Sequence, residues 1–164
     1  NNQAFVVTSE FAQTHDLSSI ADLADVGDIT FSGPPECEER DTCYQGLIDV
    51  YGLDNVSFES NQEAAIRLSN LDTGANEVIL LFSTDAPLAG DTYVVLEDTE
   101  GMLPPENVTP VLRTEVIDTY GDDLVALVND LTSQITTDAL QQMNADASEG
   151  LAADEIASAW LAER

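Results

Sequence analysis

Up to residue 103 short apolar runs alternate with helix-length segments; from Thr114 onward the alternation stops and every segment reads helical. That change of pattern restricts the fold more than any other feature. Strand patterning falls on Ala4–Val7 (AFVV), Ile29–Phe31, Asn55–Glu59, Glu77–Phe82 (EVILLF) and Thr92–Leu96 (TYVVL). Between them lie SEFAQTHD, which Thr8 can cap, and IADLADV, capped by Ser18 or Ser19 and ended by Gly27. Gln45–Tyr51 places Leu47, Ile48 and Tyr51 at helical spacing before Gly52, and Asn61–Leu68 turns Ala64, Ala65 and Leu68 inward. Strands alternating with short helices predict an α/β sheet with parallel strands.

Past Pro104-Pro105 the spacing predicts one more strand, Val108–Leu112. Helices follow over Thr114–Tyr120, Asp122–Gln134, Thr137–Asn144 (capped by Thr136 or Thr137) and Ala152–Ala162. Leu124, Leu127, Val128 and Leu131 form an apolar stripe, and Ile156, Trp160 and Leu161 share one helix. Helices with a single strand have no sheet of their own to cover. They are expected to sit on a sheet whose other strands this chain does not contain.

Composition narrows the function. The net charge of −28 comes from 32 acidic residues against four arginines and no lysine. Such a field repels phosphate backbones and anionic lipid, which excludes nucleic-acid and membrane-surface binding. A hydrophobic fraction of 43% supports a packed core. Cys37 and Cys43, with five residues between them in a turn-rich loop, suit a short disulfide in an exported protein or a free thiol pair in a reducing cytosol. The disulfide, and with it an extracytoplasmic location, is the expectation carried forward. The absence of an initiator Met and a signal peptide is read as a mature or excised product.

Signatures of catalysis are missing: no GxSxG, HExxH, Walker loop or GxGxxG occurs. No enzyme activity, cofactor or metal is expected. His15, the only histidine, reads as an exposed helix-end residue.

Two strand ends stand out, because ligands of open α/β sheets bind beyond the carboxyl ends of strands. The strand at Ile29–Phe31 runs into GPPECEERDTC, which carries Arg40 between the cysteines. EVILLF runs into Ser83-Thr84-Asp85-Ala86-Pro87, where Thr84 or Asp85 can cap a short turn. An aromatic face at Phe82, hydroxyls at Ser83 and Thr84, and Arg40 suit a small ligand with a cationic head and a carboxylate. The plainer alternative makes Phe82 core and pairs Arg40 with Glu38, Glu39 or Asp41.

GPPECEERDTCYQGLIDVYGL, ANEVILLFSTDAPLAG, YVVLEDTEGMLPPENVTPVLR and SQITTDALQQMNADAS occur in that order. Together they resemble the solute-binding proteins of ABC transporters for glycine betaine, choline and carnitine, and the two-cysteine loop resembles actinobacterial members. The resemblance implies a type II periplasmic-binding-protein-like fold. One complete lobe, residues 1–107 with a first crossover at Gln3–Val7, would carry a mixed sheet. Residues 108–164 would supply the return crossover strand and the C-terminal helices of the other lobe, whose N-terminal part is missing. It implies that Arg40 binds a ligand carboxylate and that Phe82 stands where the family carries a cage Tyr in a YSTD-like motif, followed by Ser83 and Thr84. Glu106 and Gln3 occupy positions of further cage aromatics; Glu106 then substitutes electrostatically, and Asn107 hydrogen-bonds at the hinge. The implied protein delivers solute to an ABC permease and is periplasmic or lipoprotein-anchored at the cell surface. The second hypothesis is a secreted protein-interaction domain whose disulfide only stabilises a surface.

Overall fold

Why the first strand of this chain is buried along its length becomes plain from its neighbours. In the computed structural model, which describes residues 1–163, β1 (Gln3–Thr8) lies between β4 (Val78–Phe82) and β5 (Tyr93–Val95), antiparallel to both. β2 (Ile29–Gly33) pairs in parallel with β3 (Val56–Ser60) and with β4, giving the order β3-β2-β4-β1-β5. The sheet is therefore mixed, where alternation alone predicts parallel strands. β1 reaches β4 across a long connection, and nothing in an apolar run encodes direction.

Helices cover the faces. α1 (Ser9–His15) is capped as expected, the Phe11 N–H donating to Thr8 Oγ1 at 3.1 Å, and His15 is exposed at its end. α2 (Tyr44–Asp49) follows the cysteine loop, and Gly52 beyond it takes a positive φ of 67°. α3 (Ala64–Asp72) starts later than the sequence suggests. It buries Arg67 and Leu71 and leaves Ala64 and Ala65 exposed, as Ile48 is on α2. The displaced stripe follows from Arg67. Its Nε donates to the Leu80 carbonyl and its Nη1 to those of Asn61 and Gln62, so the guanidinium, not the small alanines, faces the sheet. The segment after α1 forms a 3-10 turn, Ala21–Asp25, without a serine cap. Instead the Asp22 carboxylate accepts from the Ser18 and Ser19 N–H groups at 2.8 and 2.7 Å.

Two cores result. One collects Phe5, Val7, Leu23, Phe31, Leu47, Val78 and Leu80; the other, on the opposite sheet face, collects Ala4, Val6, Leu71, Ile79, Leu81 and Leu88. In the first, Phe5, Phe31, Phe58 and Tyr44 follow one another at centroid spacings of 5.1, 5.9 and 5.2 Å. Offset contacts of this kind add to burial and tie β1, β2, β3 and α2 together.

The C-terminal helices are α4 (Thr114–Ser133), α5 (Thr137–Ser148) and α6 (Ala153–Ala162). α4 breaks at Gly121 (φ 72°, ψ −167°), the boundary that the sequence places between two helices, and Thr136 caps α5 through the Ala139 N–H. Val108–Leu112 is not a strand. It has no ladder partner among the described residues, and Val111 is 91% exposed. A strand exists only by pairing, and here nothing lies beside it to pair with.

Candidate ligand cleft

β2 and β4 are parallel neighbours, so their carboxyl ends open on one edge of the sheet. From β2 the chain passes Gly33 and Pro34 into a 3-10 turn, Pro35–Glu39, and then to Arg40. Cys37 and Cys43 are joined in a disulfide with Cα atoms 5.3 Å apart. Inside that ring the Arg40 N–H donates to the Cys37 carbonyl and the Cys43 N–H to that of Arg40, at 3.3 and 2.9 Å. Gly33 is what lets the ring fold back: a Cβ there would lie 2.9 Å from Cys37 Sγ.

Because β1 runs antiparallel, its beginning meets the end of β4, with Gln3 in register with Phe82. Gln3, Arg40, Thr42, Phe82, Leu103, Pro104 and Glu106 line a cleft of about 350 Å³. That volume is within the ordinary range for small-molecule sites. Four residues singled out by sequence, Gln3, Arg40, Phe82 and Glu106, thus come together. Thr42, Leu103 and Pro104 join them without having been expected.

Phe82 is 45% exposed, so the reading that makes it core does not hold. Arg40 has one weak ion pair, 3.9 Å from Glu36 one helical turn earlier, with its side chain 53% exposed. Such exposed pairs contribute about 0–1 kcal/mol. The guanidinium fork is left able to grip another anion. On the other wall Glu106 is held by its N–H, which donates to Asn2 Oδ1 at 2.7 Å.

Ser83, Thr84 and Asn107 are placed differently. The Ser83 hydroxyl accepts from the Asn2 N–H at 3.0 Å, and its carbonyl accepts from Gln141 Nε2 at 2.8 Å. The Thr84 hydroxyl donates to Asn1 Oδ1 and its carbonyl accepts from Asn144 Nδ2, both at 2.6 Å. These two residues fasten the start of β1 and helix α5 to the end of β4. Thr84 and Asn107 line a neighbouring cavity of about 310 Å³, against Asn129 and Thr132 of α4. Asp85 stands at the N-cap of the following turn, as expected, but its carboxylate reaches back to accept the Phe82 N–H at 2.9 Å.

An aromatic face, a half-exposed guanidinium with one weak ion pair, and a carboxylate surround one cleft, a set suited to binding a small molecule that carries both charges. Among the described residues no group of three His, Cys, Asp or Glu side chains is arranged to hold a metal ion. The substrate-binding domain of ABC-type glycine betaine transport systems matches residues 1–163. The chain belongs to that family. It is a family of binding proteins, not enzymes, and the mixed five-stranded sheet with its helices is the periplasmic-binding-protein-like fold. A solved structure of a glycine betaine/carnitine/choline ABC transporter has a TM-score of 0.86 and 28% identity, over 99% of this chain and 60% of that one. The glycine betaine-binding protein YehZ of Escherichia coli K12 is 24% identical over 100% of this chain and 57% of its own length. The ergothioneine transport permease/ergothioneine binding protein EgtU of Helicobacter pylori G27 is 26% identical over 88% of this chain and 26% of its own. The chain therefore spans less than two thirds of each of these relatives.

Proposed function

We propose that this chain forms the solute-gripping part of an ABC importer's binding protein, taking a small zwitterionic or cationic compatible solute of the glycine betaine, choline or carnitine type. The observation that carries this reading is the meeting of Arg40, Phe82 and Glu106 at one cleft on the carboxyl edge of the sheet. Arg40 binds the ligand carboxylate through its fork, and the Phe82 ring takes the cationic head on its π face. Glu106 adds a full negative charge where a second ring would add only a quadrupole. The net charge of −28 works in the same direction, since it draws in a cation and disfavours a bare anion. A carboxylate then enters only on a molecule that also carries positive charge. Relatives named for glycine betaine, carnitine, choline and ergothioneine suit this pattern.

Residues 108–164 belong, in this reading, to a second lobe completed by sequence outside this chain, and Asn107 lies at the hinge between the two. The whole protein is extracytoplasmic, anchored at the cell surface or periplasmic, and hands solute to a permease. No helix among the described residues is long and apolar enough to cross a membrane.

Titration calorimetry of the full-length protein with glycine betaine and choline tests the site. Arg40→Ala weakens glycine betaine by about 10- to 100-fold, the worth of a charge-assisted hydrogen-bond pair, and leaves choline, which has no carboxylate, nearly unchanged. Equal losses for both ligands would remove Arg40 from the carboxylate role.

A further inference from the structure

One wall of the cleft, Leu103, Pro104 and Glu106, lies on a segment with no regular secondary structure. Helices and strands hold their residues by their own hydrogen bonds; this wall has to be held by something else. Asp98 supplies it. Its Oδ2 accepts from the Leu103 N–H at 2.7 Å, and its Oδ1 accepts from the Met102 N–H at 3.0 Å and from the Tyr51 hydroxyl. The same hydroxyl accepts from the Glu100 N–H at 3.1 Å. Gly101 turns the chain between these points with a φ of 71°.

Tyr51 lies two residues beyond α2, the helix that begins at the Cys37–Cys43 ring carrying Arg40 and Thr42. A second contact lies alongside. Met102 is buried over Gly46 of α2, where any Cβ would collide with Met102 Sδ and the Asp41 carbonyl. The two walls of the cleft are thus joined through residues that do not themselves line it. We infer that Tyr51 and Asp98 are positioning residues, a clasp that fixes the Leu103 end of this wall against the Arg40 wall and thereby sets the cleft for its solute.

The protonation states agree with the geometry. Burial, and then the neighbouring carboxylate, raise the Tyr51 hydroxyl above its ordinary value, so it remains a donor. Burial pushes Asp98 upward, but hydrogen bonds from Tyr51 and from the Leu103, Met102 and Gly101 N–H groups outweigh it and hold the group below the usual carboxylate range. A neutral phenol facing an ionised carboxylate gives the strong form of the bond.

This inference rests on the solute-binding reading, and its test separates the two. In the full-length protein, Tyr51→Phe and Asp98→Asn are titrated with glycine betaine and choline beside Arg40→Ala. Leu71→Ala, in the opposite core, serves as a control for lost stability. The clasp variants weaken both ligands by about tenfold, as expected for losing a hydrogen bond to a charged group, and keep their ratio. Arg40→Ala changes that ratio, and Leu71→Ala keeps both affinities within about twofold as long as the protein stays folded. Clasp variants that bind like wild type while Arg40→Ala remains selective would overturn the clasp alone. Wild-type protein that binds neither solute would overturn the solute reading. The clasp is then read by amide exchange at Met102 and Leu103, which Asp98→Asn speeds by about tenfold; unchanged exchange there also overturns it.

Discussion

Residues 1–103 and 114–163 are both rich in apolar side chains, yet they use them in opposite ways. The first region encloses two cores, with Phe5, Val6, Val7, Phe31 and Val78 wholly inaccessible. In the second, Ile156 is the one buried residue among those described; the stripe of α4 has Leu124 and Val128 only partly covered and Leu127 at 65% exposure. α5 packs against the Ala86–Ala89 turn and is tied there by hydrogen bonds from Gln141 and Asn144 to the carbonyls of Ser83 and Thr84. The difference teaches that a helix can be well formed, capped and amphipathic while its burial depends on something beyond it. Apolar periodicity reports that a face needs a partner, not that the chain supplies one.

The contrast breaks most readily in the first core. Phe31→Ala removes a ring at 0% exposure between Phe5 and Phe58 and is expected to cost about 3–5 kcal/mol in urea unfolding. A loss below about 1 kcal/mol would mean that this region is as loosely packed as the helices. An intermediate effect is expected from acid. Hydrogen bonds from the Ser18 and then the Ser19 backbone N–H groups hold Asp22 at about 2, against an ordinary 3.8. A carboxylate lowered on folding adds stability that is fully present above its unfolded value and is lost as pH falls through its folded one. The loss therefore runs from about pH 4 to pH 2, and after allowance for solvent screening amounts to about 1 kcal/mol. Asp22→Asn should flatten stability across that window; an unchanged profile would show that the Asp22 bonds add nothing. The smallest effect belongs to the open face. Leu127→Ala on this chain should change stability by no more than about 0.5 kcal/mol, and a loss near 2 would show that the stripe is covered.

Sequence reading went furthest where one residue decides a local conformation. Thr8 and Thr136 cap their helices, Gly52 follows α2 with a positive φ, and Gly121 interrupts α4, each where its chemistry placed it. Arg40 and Phe82 could likewise be put on one edge, because one follows and the other ends a strand that apolar runs reveal. What stayed hidden depends on partners distant in sequence. The antiparallel course of β1, the missing ladder at Val108–Leu112 and the buried face of α3 are all settled by what lies alongside. Tyr51 shows this most clearly. Its spacing marks it as one more apolar residue of α2, whereas its hydroxyl and Asp98, far along the chain, fix a wall of the cleft. No local pattern signals that pair, although an acidic residue three before a glycine in a turn is a hint that can be looked for.

The place of β1 also bears on how the chain acquires its structure in time. Phe5 pairs with Leu80 and Val6 with Val95, so β1 has no neighbours in the sheet until β4 and β5, far along the chain, exist. Sheets dominated by such distant pairings form slowly, because a long loop must close before any contact rewards it. β1 can therefore join only late, and its arrival completes both cores at once. Until then AFVV is an exposed apolar strand, the form most prone to pair with a wrong partner.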